Sequence, residues 1–256
     1  MTPDLLATVF IALFGAAVGS FLNVCIVRLP ARRSVVHPRS SCPQCGRALR
    51  WSENLPVVSW IALRARCAGC GQRIPVMYPL VEVTAAITFV AAWHVFGPTL
   101  LGAARLVFLS ALIVLAATDL RERLLPNAIT LPGIFVGVAF SLVAPPGPLG
   151  SLAGVLVGGV VPFLVGEAYY RLRGMEGLGM GDVKMLAMVG AFLGAPLAMV
   201  TLFAASLLGV VVGIPMIILT RNRHYPIPLG TVLAASAFAA AFGGERVLDW
   251  YTSLYR

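Results

Sequence analysis

Between Asp4 and Arg28 the chain reads L-L-A-T-V-F-I-A-L-F-G-A-A-V-G-S-F-L-N-V-C-I-V (Leu5–Val27), 23 residues without a formal charge. About 20 such residues, helical at about 1.5 Å each, cross a hydrocarbon core of about 30 Å. The stretch therefore reads as a membrane span. Seven more apolar runs follow it: Val76–Phe96, Thr99–Thr118, Ala128–Ala144, Leu149–Tyr170, Val183–Ala195, Leu197–Thr220 and Leu229–Leu248. With 59% hydrophobic and only 11% charged residues in 256, an ordinary soluble domain is excluded. The expectation is an all-α polytopic membrane protein of about eight transmembrane helices, the sixth too short for a full crossing. The first run has Asp4 in front and cations behind, and it outlasts a signal core, so it is expected to anchor rather than be cleaved.

A net charge of +9 raises the question of nucleic acid, and the distribution answers it. If the N-terminus faces outward and the spans alternate, the inner segments hold Arg28, Arg32, Arg33, Arg39, Arg47, Arg50, Arg64, Arg66 and Arg73. They also hold Arg121, Arg123, Arg171, Arg173, Lys184, Arg221 and Arg223. Only Arg105, Arg246 and Arg256 remain for the outside, with Arg105 reaching for the outer headgroups. This is the positive-inside asymmetry of a bacterial inner-membrane protein, and it needs no nucleic-acid partner.

The first inner loop carries S-C-P-Q-C-G-R-A-L and R-C-A-G-C-G-Q-R-I. Cys42 with Cys45, and Cys67 with Cys70, form two C-x-x-C-G knuckles whose four thiolates suit a closed, tetrahedral, structural Zn2+ site. The glycine after each second cysteine suits the tight turn that aims N–H groups at the thiolates. Disulfides and thiol redox chemistry are the rivals, opposed by the reducing compartment expected on this side. So short a loop cannot build a core unaided, so a metal staple fits. Cys25, inside the first span, reads as packing. The expected organisation is a first span (1–27), a four-cysteine zinc module (28–75) and a membrane-embedded core (76–256).

Ionisable groups at membrane depth are functional candidates. Asp119 ends the third span in T-D-L-R-E-R-L-L-P-N, and Asp182 opens the sixth in G-L-G-M-G-D-V-K-M (Gly177–Met185). The alternating topology puts both at the inner face. Gly177, Gly179 and Gly181 are expected to permit unusual backbone angles and close approach of another chain. The dipole of the sixth helix favours a charged Asp182, while Asp119 at the end of its own helix meets the opposite field. Two carboxylates in such different surroundings can share one proton, as in an aspartic protease. The competing reading is a transporter with a proton relay. Glu82 and Glu167 either tune the site or simply snorkel or pair with a loop arginine. His37, His94 and His224 show no ligand spacing and read as structural.

Taken together the motifs resemble those of the type IV prepilin peptidases, membrane aspartic proteases of the G-x-G-D class. The resemblance covers nearly the whole chain: G-S-F-L-N-V and R-L-P (Gly19–Val24, Arg28–Pro30), both C-x-x-C pairs, Y-P-L-V-E (Tyr78–Glu82), Asp119 with L-L-P (Leu124–Pro126), and G-M-G-D-V-K (Gly179–Lys184). It implies cleavage of the basic leader of prepilins and pseudopilins, with Asp119 and Asp182 as the catalytic pair and Gly179, Gly181 and Lys184 supporting them. It also implies methylation of the new N-terminus with S-adenosylmethionine, for which the chain offers no glycine-rich strand–loop–helix of its own. One departure stands out. The family shows a proline–aromatic–glycine–proline string where this chain has P-I-P-L-G-T (Pro226–Thr231), so Leu229 and Thr231 replace expected residues. That departure is expected to leave the aspartate pair untouched.

Overall fold

The computed structural model describes residues 3–174, 178–220 and 228–254. Gly177, Arg221, Arg223, His224, Pro226, Ile227 and Arg256 lie outside the described residues. Among the described residues the regular structure is helical, joined by two isolated bridges, Ser41 with Ala48 and Arg66 with Arg73. Two compact units divide the chain, Met1–Pro98 and Thr99–Arg256.

In the first unit α1 (Pro3–Arg28) packs against α3 (Met77–Phe96), with a short α2 (Val58–Ala62) in the loop between them. The two long helices touch closely because one face of α1 is small. A Cβ on Gly15 would stand 2.8 Å from the Phe89 Cβ, and one on Gly19 would stand 2.7 Å from the Glu82 Cα. Asn23 Nδ2 then donates to the Tyr78 carbonyl at 3.0 Å, tying the first quoted motif to Y-P-L-V-E. Van der Waals contact between small faces is what drives helices together where lipid offers no hydrophobic gain. The second span, grouped by sequence with the protease core, thus pairs with the first. Cys25 is buried on this seam, as a packing residue should be.

The second unit comprises α4 (Leu100–Glu122), α5 (Asn127–Ser141), α6 (Gly147–Val155), α7 (Val161–Arg173), α8 (Met180–Leu193), α9 (Ala195–Thr220) and α10 (Leu229–Ser253). A π-turn at Leu156–Val160 joins α6 to α7 as one 27-residue rod. The chain therefore has the eight apolar rods expected among its described residues. Six are long and apolar enough to cross a membrane. The fourth, expected over Ala128–Ala144, stops at Ser141 with 15 residues and joins the sixth, with 14, as a short rod. Pro126 at its start and Pro145–Pro146 just beyond its end leave no room for more.

α8 is the centre of this unit. From Val183 every residue but Lys184 is buried, ending at Leu193. Its neighbours reach it through small residues. Gly154 of α6 and Gly190 of α8 cross backbone to backbone, Gly158 sits on the Leu186 carbonyl, and Gly137 of α5 meets Ala191. Phe192 stacks on Phe108 of α4 with ring centroids 5.0 Å apart.

Arg105 departs from expectation. Rather than reaching headgroups it is 4% exposed and donates through Nη1 to the Phe192 carbonyl at 3.4 Å. The last carbonyls of a helix lack partners within it, and here a cation from α4 serves the buried end of α8.

Candidate active site and metal centre

α4 ends where it does because Arg123 turns left-handed (φ 52°, ψ 41°) and returns its N–H to the Asp119 carbonyl at 2.8 Å. The chain then runs through Leu124–Leu125 to Pro126, which caps α5. Asp119 is left in the last turn of α4, and Asp182 lies in the first turn of α8. Asp119 is 6% exposed and Asp182 is half-buried.

Leu125 locates the two aspartates relative to one another. Its Cβ is 3.2 Å from where a Cβ on Gly181 would stand, and its Cδ2 is 3.0 Å from the same point on Gly230. That point on Gly230 is also 3.0 Å from the Asp119 Cγ. One leucine thus lies between the glycine preceding Asp182 and the helix start pressed on Asp119. The two carboxylates feel each other's charge. Lys184 points away from them, donating to Asn127 Oδ1 at 3.0 Å and so tying α8 to the start of α5.

The glycines serve by size rather than by backbone freedom. Gly179 has ordinary extended angles (φ −65°, ψ 139°) and Gly181 is helical. A Cβ on Gly179 would stand 3.0 Å from Asp182 Oδ2, and one on Gly181 would press on Leu125. The expected unusual angles are absent at these two positions; close approach is what remains.

The field at Asp119 is the reverse of the expected one. Its carboxylate does not face the end of α4 but the start of α10. Asp119 Oδ2 accepts from the Thr231 N–H at 2.6 Å and from the Thr231 hydroxyl at 2.8 Å. Thr231 is the third residue of α10, whose first N–H groups have no partner within the helix. Asp119 thus caps a helix distant in sequence, at its positive end. The P-L-G-T departure therefore touches the aspartate pair directly, contrary to the sequence expectation. A polar residue at the third position of a predicted helix was the available signal, since an unpaired N–H there seeks an oxygen.

A pocket of about 240 Å³ opens beside the start of α8, lined by Phe163, Glu167 and Tyr170 of α7 and by Leu178, Met180 and Val183. Glu167 pairs with Arg171 one turn on at 2.8 Å, so its ion-pair reading holds. Glu82 is different. It neither snorkels nor pairs with an arginine, but is 8% exposed and accepts from the Val57 N–H at 2.7 Å. His94 meets Thr8 at 3.3 Å, a structural contact.

In the first unit the four cysteines Cys42, Cys45, Cys67 and Cys70 converge, each Sγ within 4.8 Å of the others. The Cys42 and Cys70 sulfurs are 3.8 Å apart. A tetrahedron with Zn–S bonds of about 2.3 Å has edges of about 3.8 Å, so the donor set and its spacing fit zinc. The two knuckles repeat one backbone plan. Gly46 (φ 69°) and Gly71 (φ 70°) make the left-handed turn in each. Their N–H groups return to the carbonyls of Cys42 and Cys67 rather than to a thiolate. The thiols are instead addressed by Gln44, Cys45, Gly69, Cys70 and Gln72. The Cys70 and Gly69 N–H groups draw the Cys67 thiol down to about 6. Against the pull of the Gln72 N–H, desolvation and the neighbouring thiols push Cys70 up to about 11. Arg47 binds both oxygens of Glu53 at 2.8 and 2.9 Å and lies against Gly69, joining the knuckles.

Fold and site together define a polytopic membrane protein with a pair of aspartates gathered at the ends of its helices and a separate four-cysteine centre. Residues 13–96 match the bacterial peptidase A24 N-terminal domain, and residues 106–214 match the type IV leader peptidase family. The chain belongs to that family and is an enzyme. It is 43% identical over 221 residues to a prepilin leader peptidase/N-methyltransferase of Myxococcus xanthus, covering 84% of this chain and 64% of that protein. Proteins of the same name from Aeromonas salmonicida (strain A449) and Burkholderia pseudomallei (strain 1026b) are 36% and 34% identical. Those matches cover 94% of this chain in both cases, and 92% and 87% of the relatives. No solved structure matches the chain.

Proposed function

We propose that the chain is an aspartic endopeptidase of the bacterial inner membrane that removes the basic leader of prepilins and pseudopilins at the cytoplasmic face. The observation that carries this reading is the convergence of Asp119 and Asp182 through Leu125, in a chain of the leader peptidase family. The positive-inside charge distribution supports an outward N-terminus, with both aspartates and the cysteine module inside.

In this mechanism Asp119 is the base. Both donors on its Oδ2 suit an ionised carboxylate, and among the described residues Oδ1 accepts no hydrogen bond. A water between the acids attacks the scissile carbonyl and passes a proton to Asp119, while Asp182 donates its proton to the carbonyl oxygen. The tetrahedral diol collapses as the C–N bond breaks, and the proton on Asp119 goes to the departing amine. No covalent enzyme intermediate is needed. The apolar helix of the substrate lies in the bilayer, and the pocket beside Met180 takes part of the extended segment around the bond.

Zinc held by Cys42, Cys45, Cys67 and Cys70 would act as a crosslink, because four sulfur ligands close its coordination sphere. The Val57 N–H bond to Glu82 links that loop to α3, so the module braces the α1–α3 pair. The names of the relatives support a second activity, transfer of a methyl group from S-adenosylmethionine to the new N-terminus.

The test incubates the purified chain with a prepilin in detergent and follows leader loss and N-terminal mass. Asp119→Asn and Asp182→Asn are each expected to abolish cleavage while the protein stays folded in membranes. Full cleavage by either variant refutes the assignment. A mass gain of one methyl group on the mature pilin, dependent on the methyl donor, reads out the second activity.

A further inference from the structure

Among the described residues, Thr231 is the one side chain outside the expected pair that hydrogen-bonds a carboxylate of it. Oδ2 of Asp119 accepts its N–H at 2.6 Å and its hydroxyl at 2.8 Å, while the hydroxyl also lies 3.4 Å from the Ala116 carbonyl. A hydroxyl has one proton, and the shorter contact, to a charged acceptor, is where it goes. Gly230 makes the approach feasible, since any Cβ there would stand 3.0 Å from the Asp119 carboxyl carbon. The N–H is one that α10 leaves unused, the first ladder bond being Val232 to Pro228. The family string places a proline here, which has neither donor.

We propose that Thr231 is a positioning residue that fixes the rotamer and charge of Asp119, holding Oδ2 so that Oδ1 alone faces the water. This rests on Asp119 being the base. Both donors engage one oxygen, so the carboxylate cannot rotate without losing two charge-assisted bonds. The proton taken during the reaction is therefore directed to Oδ1. Other charged groups do not compete. α5 carries none, Lys184 of α8 is engaged with Asn127, and the charges of α10, Glu245, Arg246 and Asp249, lie three turns or more along it. Asp182 alone faces Asp119 from α8.

Cleavage of a prepilin by Thr231→Val, Thr231→Ser and Thr231→Pro, with Asp119→Asn as reference, tests this. Valine keeps the shape and the N–H but loses the hydroxyl. Its kcat is expected to fall about tenfold with KM unchanged, the worth of one charge-assisted bond. Serine restores the hydroxyl and is expected to return kcat to within about twofold of the parent. Proline, admissible where the helix does not use the N–H, removes both donors and falls at least as far as valine. A parental kcat for valine or proline, a loss confined to KM, or serine behaving like valine overturns the proposal. Should valine fail to fold, serine and proline decide it by the same split. If Asp119→Asn itself cleaves, the underlying assignment of the base fails instead, and the two failures are told apart.

Discussion

Replacing Gly190 with alanine tests how the central helix is held. A Cβ there would stand 3.0 Å from the Gly154 Cα, and closer still to the Gly154 carbonyl oxygen. Carbon atoms settle at about 3.5–4.0 Å, so α6 and α8 must separate by about 0.5–1 Å. Both atoms struck are backbone, so no rotamer relieves them. Overpacking costs about 1–3 kcal/mol, and a double backbone clash belongs at the top of that range. Alanine recovers about 1 kcal/mol of helix propensity, leaving a net loss of about 2 kcal/mol. At about 2–4 °C per kcal/mol the melting temperature should drop by about 4–8 °C. The control is the same substitution at Gly209 of α9, where nothing lies within 4 Å. There only the propensity term acts, and melting should rise by about 2–4 °C. Asp182 rides on α8 about 12 Å from the clash. A misplacement approaching 1 Å costs up to about a hundredfold in rate, so Gly190→Ala should cleave about ten- to a hundredfold more slowly, and Gly209→Ala normally. Thermal unfolding and cleavage kinetics of the two variants side by side give the answer. If Gly190→Ala melts at or above the parent, the backbone crossing does not hold α8.

Zinc binding should depend on pH in a set direction. The Cys70 thiol, pushed up to about 11, holds a proton at neutral pH that the metal must displace. Raising pH therefore favours the metal, by about tenfold in apparent affinity per pH unit for each proton released. Competition with a chromogenic chelator at several pH values measures it; a flat profile, or unchanged zinc in a four-serine variant, removes the metal from the module. Glu82→Leu should leave the Val57 N–H without its acceptor and cost about 1–3 kcal/mol, whereas Glu82→Gln keeps a carbonyl oxygen and most of the stability. The temperature at which zinc escapes to the chelator reports the loss, and equal release from both variants rejects the buried-acceptor role.

Composition and period sufficed for the eight apolar rods, because burying backbone polar groups in lipid leaves helices as the answer for a chain of this kind. The two C-x-x-C-G knuckles were equally legible, since four soft ligands at that spacing have few other uses. Asp119 and Asp182 stood out as carboxylates at the ends of apolar runs, where charge is costly enough to need a reason. What the chain order could not convey was the company each acid keeps. The dipole that reaches Asp119 belongs to α10, more than a hundred residues away, and its donor is the threonine that looked like a harmless departure. Arg105 and Glu82 were misread for the same reason. Each is a charged group whose partner is a backbone atom of another element, Phe192 or Val57, and such partners carry no side-chain signature. Sequence determines what must be buried; only tertiary packing decides which distant N–H or carbonyl meets it there.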